Sequence, residues 1–497
     1  MIESHIPALI AFNYLAFAVL ITLLGVWKRQ LCQPLAVLGA GISSLMSIYG
    51  FITYINGGGI LRYYFGGWEP PVGIEFVYDG LSAFFVLVIN CIAFLVLLHS
   101  YQISKREFPY KRMAYYSLAM LMMLGFNGMV LTGDLFNLYV FLEISSLSSY
   151  ALISNGDKPA PVAAFRYLIV GTIGGTLYLL GVGFLYTVTG TLNIIDMMAL
   201  LPSYTGNTAV IAASLLMVTG IGVKAALFPM HGWLPDSYTF ANSTSSTLIA
   251  PIGTKVAAYV LVRVILFLFG IELLDQAIPL TTILGTLAAA GILYGSIMAI
   301  AQTEMKKMLA YSSISQIGYI ILGISLGNLF GFIGAILHVL NHAVMKACLF
   351  MTAGNLRMKE GHSDIRLFDD SYRKKYPWTM FAFSTAAISM VGLPPLAGFF
   401  SKWYLALGTI EAGNWIFLAV ILISSLLNAV YFFRILEKVY MKNPEVENEP
   451  ETEPKPVVNN EGSFSMLLPT TVLAIALFLI GLLNVAIVVA ITNMYPL

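Results

Sequence analysis

GIGVKAALFPMHGWLPDSYTFANSTSSTLIAPIGTKVAAY, residues Gly220 to Tyr259, decides how the rest of the chain must be read. It sets two lysines, Lys224 and Lys255, inside apolar runs long enough to be membrane helices. Between them, Pro229, Pro235 and the polar tract Asn242–Thr247 predict a segment that is not plain helix. A lysine near the bilayer centre costs roughly 2.5–3.5 kcal/mol on insertion scales. Two of them around a broken helix point to an ion path.

Composition agrees. The 497 residues are 58% hydrophobic and 10% charged, against about 25% charged in a soluble domain. This predicts an all-α polytopic membrane protein. Lys+Arg 26 against Asp+Glu 25 leaves a formal charge of +1, so bulk charge implies no nucleic acid among the partners. Cys32, Cys91 and Cys348 lie far apart with no CxxC spacing, so no metal and no cofactor is expected. The first apolar run lacks an upstream basic region and a small-residue cleavage site, and reads as a retained helix.

At about 20 apolar residues per crossing the chain contains about fourteen spans. Lys28/Arg29, Lys105/Arg106, Lys306/Lys307 and the cluster from Arg357 to Lys375 all follow odd-numbered spans. They share one face, which the positive-inside rule makes cytoplasmic, and both termini then lie on the outer face. Residues 1–112 are an N-terminal three-helix segment; 113–271 and 272–442 are two five-helix sets of opposite orientation; 464–497 is a last helix. Each set has a proline-broken fourth helix beside a lysine. Pro229 accompanies Lys224, and Pro394 with Pro395 accompanies Lys402. Paired interrupted helices signal an inverted repeat with its site at mid-membrane. Residues 443–463 are acidic and Pro-rich, and read as a disordered cytoplasmic linker.

Ionisable residues recur inside the spans. Glu143 lies in the fifth, Lys224 and Lys255 in the seventh and eighth. His338, His342 and Lys346 stand at i, i+4 and i+8 in the eleventh, on one helix face. Lys402 closes the row in the twelfth. Loss of water and the approach of an opposite charge push the titration of such groups in opposite directions. If Glu143 moves toward or away from Lys224, the lysine takes up or releases a proton. Histidine suits the middle of that relay.

Blander readings compete. Lys402 could snorkel to an interface, and His338 could be a satisfied packing histidine. Asp134, His231 and Asp236 are accessory candidates whose positions suit capping or holding loops. Arg166 and Arg263 are expected as near-interface anchors. Gly171-Thr172-Ile173-Gly174-Gly175 sits in an apolar helix without a preceding strand, so close helix packing accounts for it better than nucleotide binding.

Four runs carry a family resemblance: TGDLFNLYVFLEISSLSSYAL (Thr132–Leu152), VKAALFPMHGWLPDSY (Val223–Tyr238), HVLNHAVMKACLF (His338–Phe350) and GLPPLAGFFSKW (Gly392–Trp403). They resemble the antiporter-like subunits of the complex I superfamily, above all the MrpD (MnhD) subunits of Mrp-type Na⁺/H⁺ antiporters and their membrane-bound hydrogenase equivalent. The resemblance implies fourteen helices, two inverted five-helix repeats, broken seventh and twelfth helices, and a prokaryotic plasma-membrane setting. It implies that Glu143 and Lys224 form a charge switch, Lys255 connects, His338 and His342 relay, and Lys402 ends the path. The Asn242–Thr247 tract departs from the family's more Pro-rich sequence.

The leading expectation is a proton-translocating subunit of a multisubunit Na⁺/H⁺ antiporter complex. The alternative is the same subunit in a membrane-bound hydrogenase or quinone-reducing respiratory complex. Expected partners are other membrane subunits, protons and the lipid bilayer. Sodium sites favour clustered oxygen ligands, whereas this axis is dominated by nitrogen bases, so any sodium is expected to pass through another subunit. A stand-alone carrier would transport when purified alone. An inert scaffold would leave the intramembrane charges unexplained.

Overall fold

The computed structural model describes residues 3–441 and 459–495. Thirteen of the described helices are long and apolar enough to cross a membrane. A further crossing is built from two shorter pieces. In chain order, α1 is Ile6–Trp27, α2 Cys32–Thr53 and α3 Gly80–Glu107. Next come α4 (Arg112–Leu131), α5 (Leu135–Ser154) and α6 (Ala160–Thr189). The seventh crossing, α7, has two pieces, Thr208–Ala225 and Leu234–Phe240. Helix α8, Ser243–Val262, runs on as a π-helix over Arg263–Phe269. Then follow α9 (Leu280–Ile300), α10 (Met305–Ser325) and α11 (Leu329–Glu360). The pieces of α12 are Pro377–Val391 and Ala397–Glu411. Last are α13 (Trp415–Tyr440) and α14 (Phe464–Leu482), the latter followed by a short helix, Asn484–Thr492.

Both expected breaks are present, each with a local cause. The first piece of α7 ends where Ala226 turns left-handed (φ 58°), three residues before Pro229, which has no N–H to extend a helix. The first piece of α12 ends at Gly392, left-handed at φ 92°. Glycine takes that conformation without a Cβ clash, and Pro394 and Pro395 stop the helix from resuming until Ala397.

The polar tract is the expectation that fails. Asn242–Thr247 is not part of the break but the cap and first turn of α8. The Asn242 side chain accepts from Ser245 N at 2.8 Å, and Thr247 donates back to the Ser243 carbonyl at 2.7 Å. Side-chain capping, which favours Asn and Ser at helix starts, makes a polar run a beginning here. Two further features were not foreseen. A hairpin of β1 (Leu61–Tyr64) and β2 (Glu75–Tyr78) lies between α2 and α3, and the last crossing is interrupted at Leu483. Of the expected linker, 443–458 lies outside the described residues. Within its end, Glu461 accepts from Trp378 N, Thr379 N and Thr379 Oγ1 at 2.6–3.0 Å, capping the start of α12.

The most enclosed of these membrane-length helices is α11, buried along nearly its whole apolar length, whereas α1, α13 and others turn large apolar side chains outward. Helices α6 and α7 meet closely at Gly174 and Gly220. A Cβ on Gly220 would lie 2.4 Å from the Gly174 carbonyl oxygen. That is the close packing expected of the glycine-rich run.

Candidate functional site

On α5, Glu143, Ser146 and Tyr150 stand at i, i+3 and i+7 and share a face. The facing group is Lys224, in the last turn of the first piece of α7, where a cation is favoured by the helix dipole. Its Nζ lies 3.9 Å from Glu143 Oε1 and donates to Ser146 Oγ at 2.8 Å and to the Tyr150 hydroxyl at 3.2 Å. Trp233, inside the break, donates from Nε1 to the Val223 carbonyl at 2.9 Å and stacks on Tyr167 at 3.7 Å. The break is therefore a structured turn that holds Lys224 in place.

The glycine run also shapes this pair. A Cβ on Gly175 would lie 2.4 Å from Glu143 Oε1, and one on Gly171 would lie 2.1 Å from the Tyr150 hydroxyl. Gly175→Ala must displace the carboxylate. We expect it to lower proton transport about tenfold, the rate equivalent of about 1.4 kcal/mol, in a complex that still assembles. Dye-quench assays on membrane vesicles would measure it, and wild-type rates would refute the steric role.

From Lys224 the polar groups continue inward. A cavity of about 20 Å³ lined by Ser145, Ser146, Ser149, Lys224, Gly253 and Thr254 joins α5, α7 and α8, room for one water. Beside Thr254, Lys255 Nζ donates to the Ala250 carbonyl at 2.7 Å. Helix α8 packs on α11, the helix that carries His338, His342 and Lys346. Lys346 donates to Ser312 and the Leu309 carbonyl. The rings of His342 and His338 lie 5.9 Å apart. His338 bonds Gln316 of α10 through Nε2 and Ser401 of α12 through Nδ1, both at 2.9 Å. Neither ring nitrogen of His342 has a protein partner. Lys402, next to Ser401, points back across the α12 break to the carbonyls of Met390 and Val391, both at 2.9 Å.

The seven candidate residues stand on α5, α7, α8, α11 and α12, with Glu143 paired to Lys224 and His342 beside His338. Glu143 alone among them is not fully buried. Lys402 does not snorkel. The accessory candidates lie apart from the row. Asp134 caps α5 through Asn137 N at 2.6 Å. Asp236 pairs with Arg166 at 3.1 Å and Lys307 at 4.0 Å. His231 stacks on Phe228 at the α7 break, facing Tyr294 of α9. Arg263, expected as a near-interface anchor, forms an ion pair with Asp79 at 2.5 Å. One placement differs from expectation. Lys306, expected in a loop, is buried at the start of α10 and donates to the Ala241 carbonyl at 2.6 Å. Ser146, Tyr150, Gln316 and Ser401 were missed, although helical spacing from Glu143 and adjacency to Lys402 marked three of them. Gln316 carried no such signal. Among the described residues, no three His, Cys, Asp or Glu side chains could hold a metal ion.

Comparison with known proteins bears on this arrangement. Residues 132–428 match the family model described as NADH:quinone oxidoreductase/Mrp antiporter, TM. The chain is 44% identical over 493 residues to the N subunit of the NADH-quinone oxidoreductase of Desulforudis audaxviator, covering 97% of this chain and 96% of that protein. It is 34% identical over 397 residues to the MrpD-type subunit of the Na⁺/H⁺ antiporter of Alkalihalophilus pseudofirmus, covering 79% and 78%. Among solved structures, a chain of the archaeal membrane-bound sulfane sulfur reductase superposes with a TM-score of 0.88 at 29% identity, covering 98% of this chain and 96% of that one.

Proposed function

The chain belongs to the NADH:quinone oxidoreductase/Mrp antiporter family, and on that premise we propose that it carries protons as the antiporter-like subunit of a multisubunit membrane complex. The observation that carries this reading is the Glu143–Lys224 pair at 3.9 Å, placed at the head of a buried row that ends at Lys402. At an effective dielectric of 20, closing or opening such a pair changes the energy of the lysine's charge by roughly 4 kcal/mol. That is enough to drive a proton onto or off Lys224. In the proposed path Lys255, Lys346, His342 and His338 pass the charge along α8 and α11, and Lys402 releases it. The basic face is cytoplasmic, both termini lie on the outer face of a prokaryotic plasma membrane, and 113–271 and 272–442 form the two inverted repeats.

For the host we favour a quinone-reducing respiratory complex, which reverses the order suggested by the sequence motifs. The support is the NADH-quinone oxidoreductase relative, matched at higher identity over nearly the whole chain. The antiporter complex is the second reading, supported by the Na⁺/H⁺ antiporter relative. In either host, sodium passes through another subunit. Purification of the tagged chain from its native membranes tests the choice. Co-purifying electron-transfer subunits, with proton uptake by vesicles that requires an electron donor and a quinone, are expected. Uptake driven by a sodium gradient alone would favour the antiporter instead.

A further inference from the structure

Above Lys255, α8 presents Tyr259 and then Arg263 at i+4 and i+8, on the same face and toward the face opposite the basic loops. At 1.5 Å per residue the guanidinium-bearing position lies about 12 Å beyond the lysine. Both side chains stand on α8 between Lys255 and the outer end of that helix. Their hydrogen bonds are directional. The Tyr259 hydroxyl donates its single proton sideways to the Val130 carbonyl at 2.7 Å and accepts from Arg263 Nε at 2.8 Å. Arg263 Nη2 binds Asp79 Oδ1 at 2.5 Å, and its guanidinium lies 4.8 Å from the Phe267 ring centroid. Asp79 is itself fixed as the N-cap of α3 through Ser82. The α-helix widens to a π-helix at Arg263, a local geometry that recurs at functional positions.

A proton leaving Lys255 outward would have to be accepted above Tyr259. A guanidinium has five donors, no acceptor, and a permanent positive charge. We propose that Tyr259, Arg263 and Asp79 form a seal that closes the outer end of α8 to protons held on Lys255, so that charge must continue toward α11. This rests on the proton-relay reading above. It concerns passive leak rather than driven transport, so the two can fail separately.

The test uses the purified whole complex in proteoliposomes, with an imposed pH gradient and no electron donor or sodium gradient. Arg263→Gln places a neutral acceptor at the seal and is expected to raise the passive proton leak at least about tenfold. Arg263→Lys keeps a cation beside Asp79 but, unlike a guanidinium, can take up and release a proton, so its leak is expected to fall between those of wild type and Arg263→Gln. Adding Lys255→Ala to Arg263→Gln returns the leak to the wild-type level. An assembled Arg263→Gln complex as tight as wild type would overturn the seal, and so would a leak that persists without Lys255. Should Arg263→Gln fail to assemble, Asp79→Asn releases the guanidinium and is read in the same assay, with a leak supporting the seal and tightness overturning it. If Glu143→Ala left driven transport intact, the relay reading would fall while the leak measurement kept its meaning.

Discussion

Lys224→Ala is expected to reduce proton translocation by the assembled complex to the background of vesicles lacking it. Nζ is the only cation within 4 Å of Glu143 among the described residues, and it also bonds Ser146 and Tyr150. Removing one partner of a buried pair costs about 3–5 kcal/mol. Glu143 is partly exposed, so the cost to folding should sit at the lower end and the complex should assemble. Glu143→Gln should lose transport comparably. The double variant should be no worse than either single one, because residues that act as one unit are not additive. Proton uptake by inverted vesicles, normalised to assembled complex, is the measurement. Wild-type uptake in either single variant would end the charge-switch mechanism.

Lys402 is the second critical position, and its two roles can be separated. Its amine satisfies the carbonyls of Met390 and Val391 at the C-terminal end of the first α12 piece. Lys402→Ala leaves those acceptors unpaired, at about 1–3 kcal/mol for each buried group, so it should lower both thermal stability and transport. Lys402→Arg keeps a donor and a charge but cannot release its proton. It should hold stability near wild type while transport falls to less than about a tenth, a barrier change above about 1.4 kcal/mol. Transport that survives in Lys402→Arg would make the lysine a structural staple rather than the end of the path.

The two lysines also differ in a way that motif reading did not anticipate. Lys224 faces a carboxylate, whereas Lys402 has no acidic partner within 4 Å among the described residues and is held by helix-end carbonyls and Ser425. In the proposed path the first half would be switched by moving a charge. The second depends on the shape of the α12 break. A conformational change that tightened or loosened Gly392–Leu396 would act on Lys402 directly.

Most of the architecture was legible in the residues. Long apolar runs, basic loops after odd-numbered spans and prolines beside lysines are one-dimensional signals, because a bilayer imposes span length and charge asymmetry on any chain that crosses it. The i, i+4, i+8 spacing of His338, His342 and Lys346 likewise needs only helix geometry. The Asn242–Thr247 tract was misread because composition does not say which side of a turn a polar run belongs to. Capping by Asn242 decides that. Sequence by itself thus determined the crossings, the two proline breaks and the helices on which the candidate polar residues stand. Tertiary structure alone decided the pairing: which carboxylate reaches Lys224, that Gln316 and Ser401 hold His338, that glycines on α6 make room for Glu143, and that Arg263 meets Asp79. Those contacts join residues up to 184 positions apart, and helix packing, which no local pattern encodes, brings them within hydrogen-bond range.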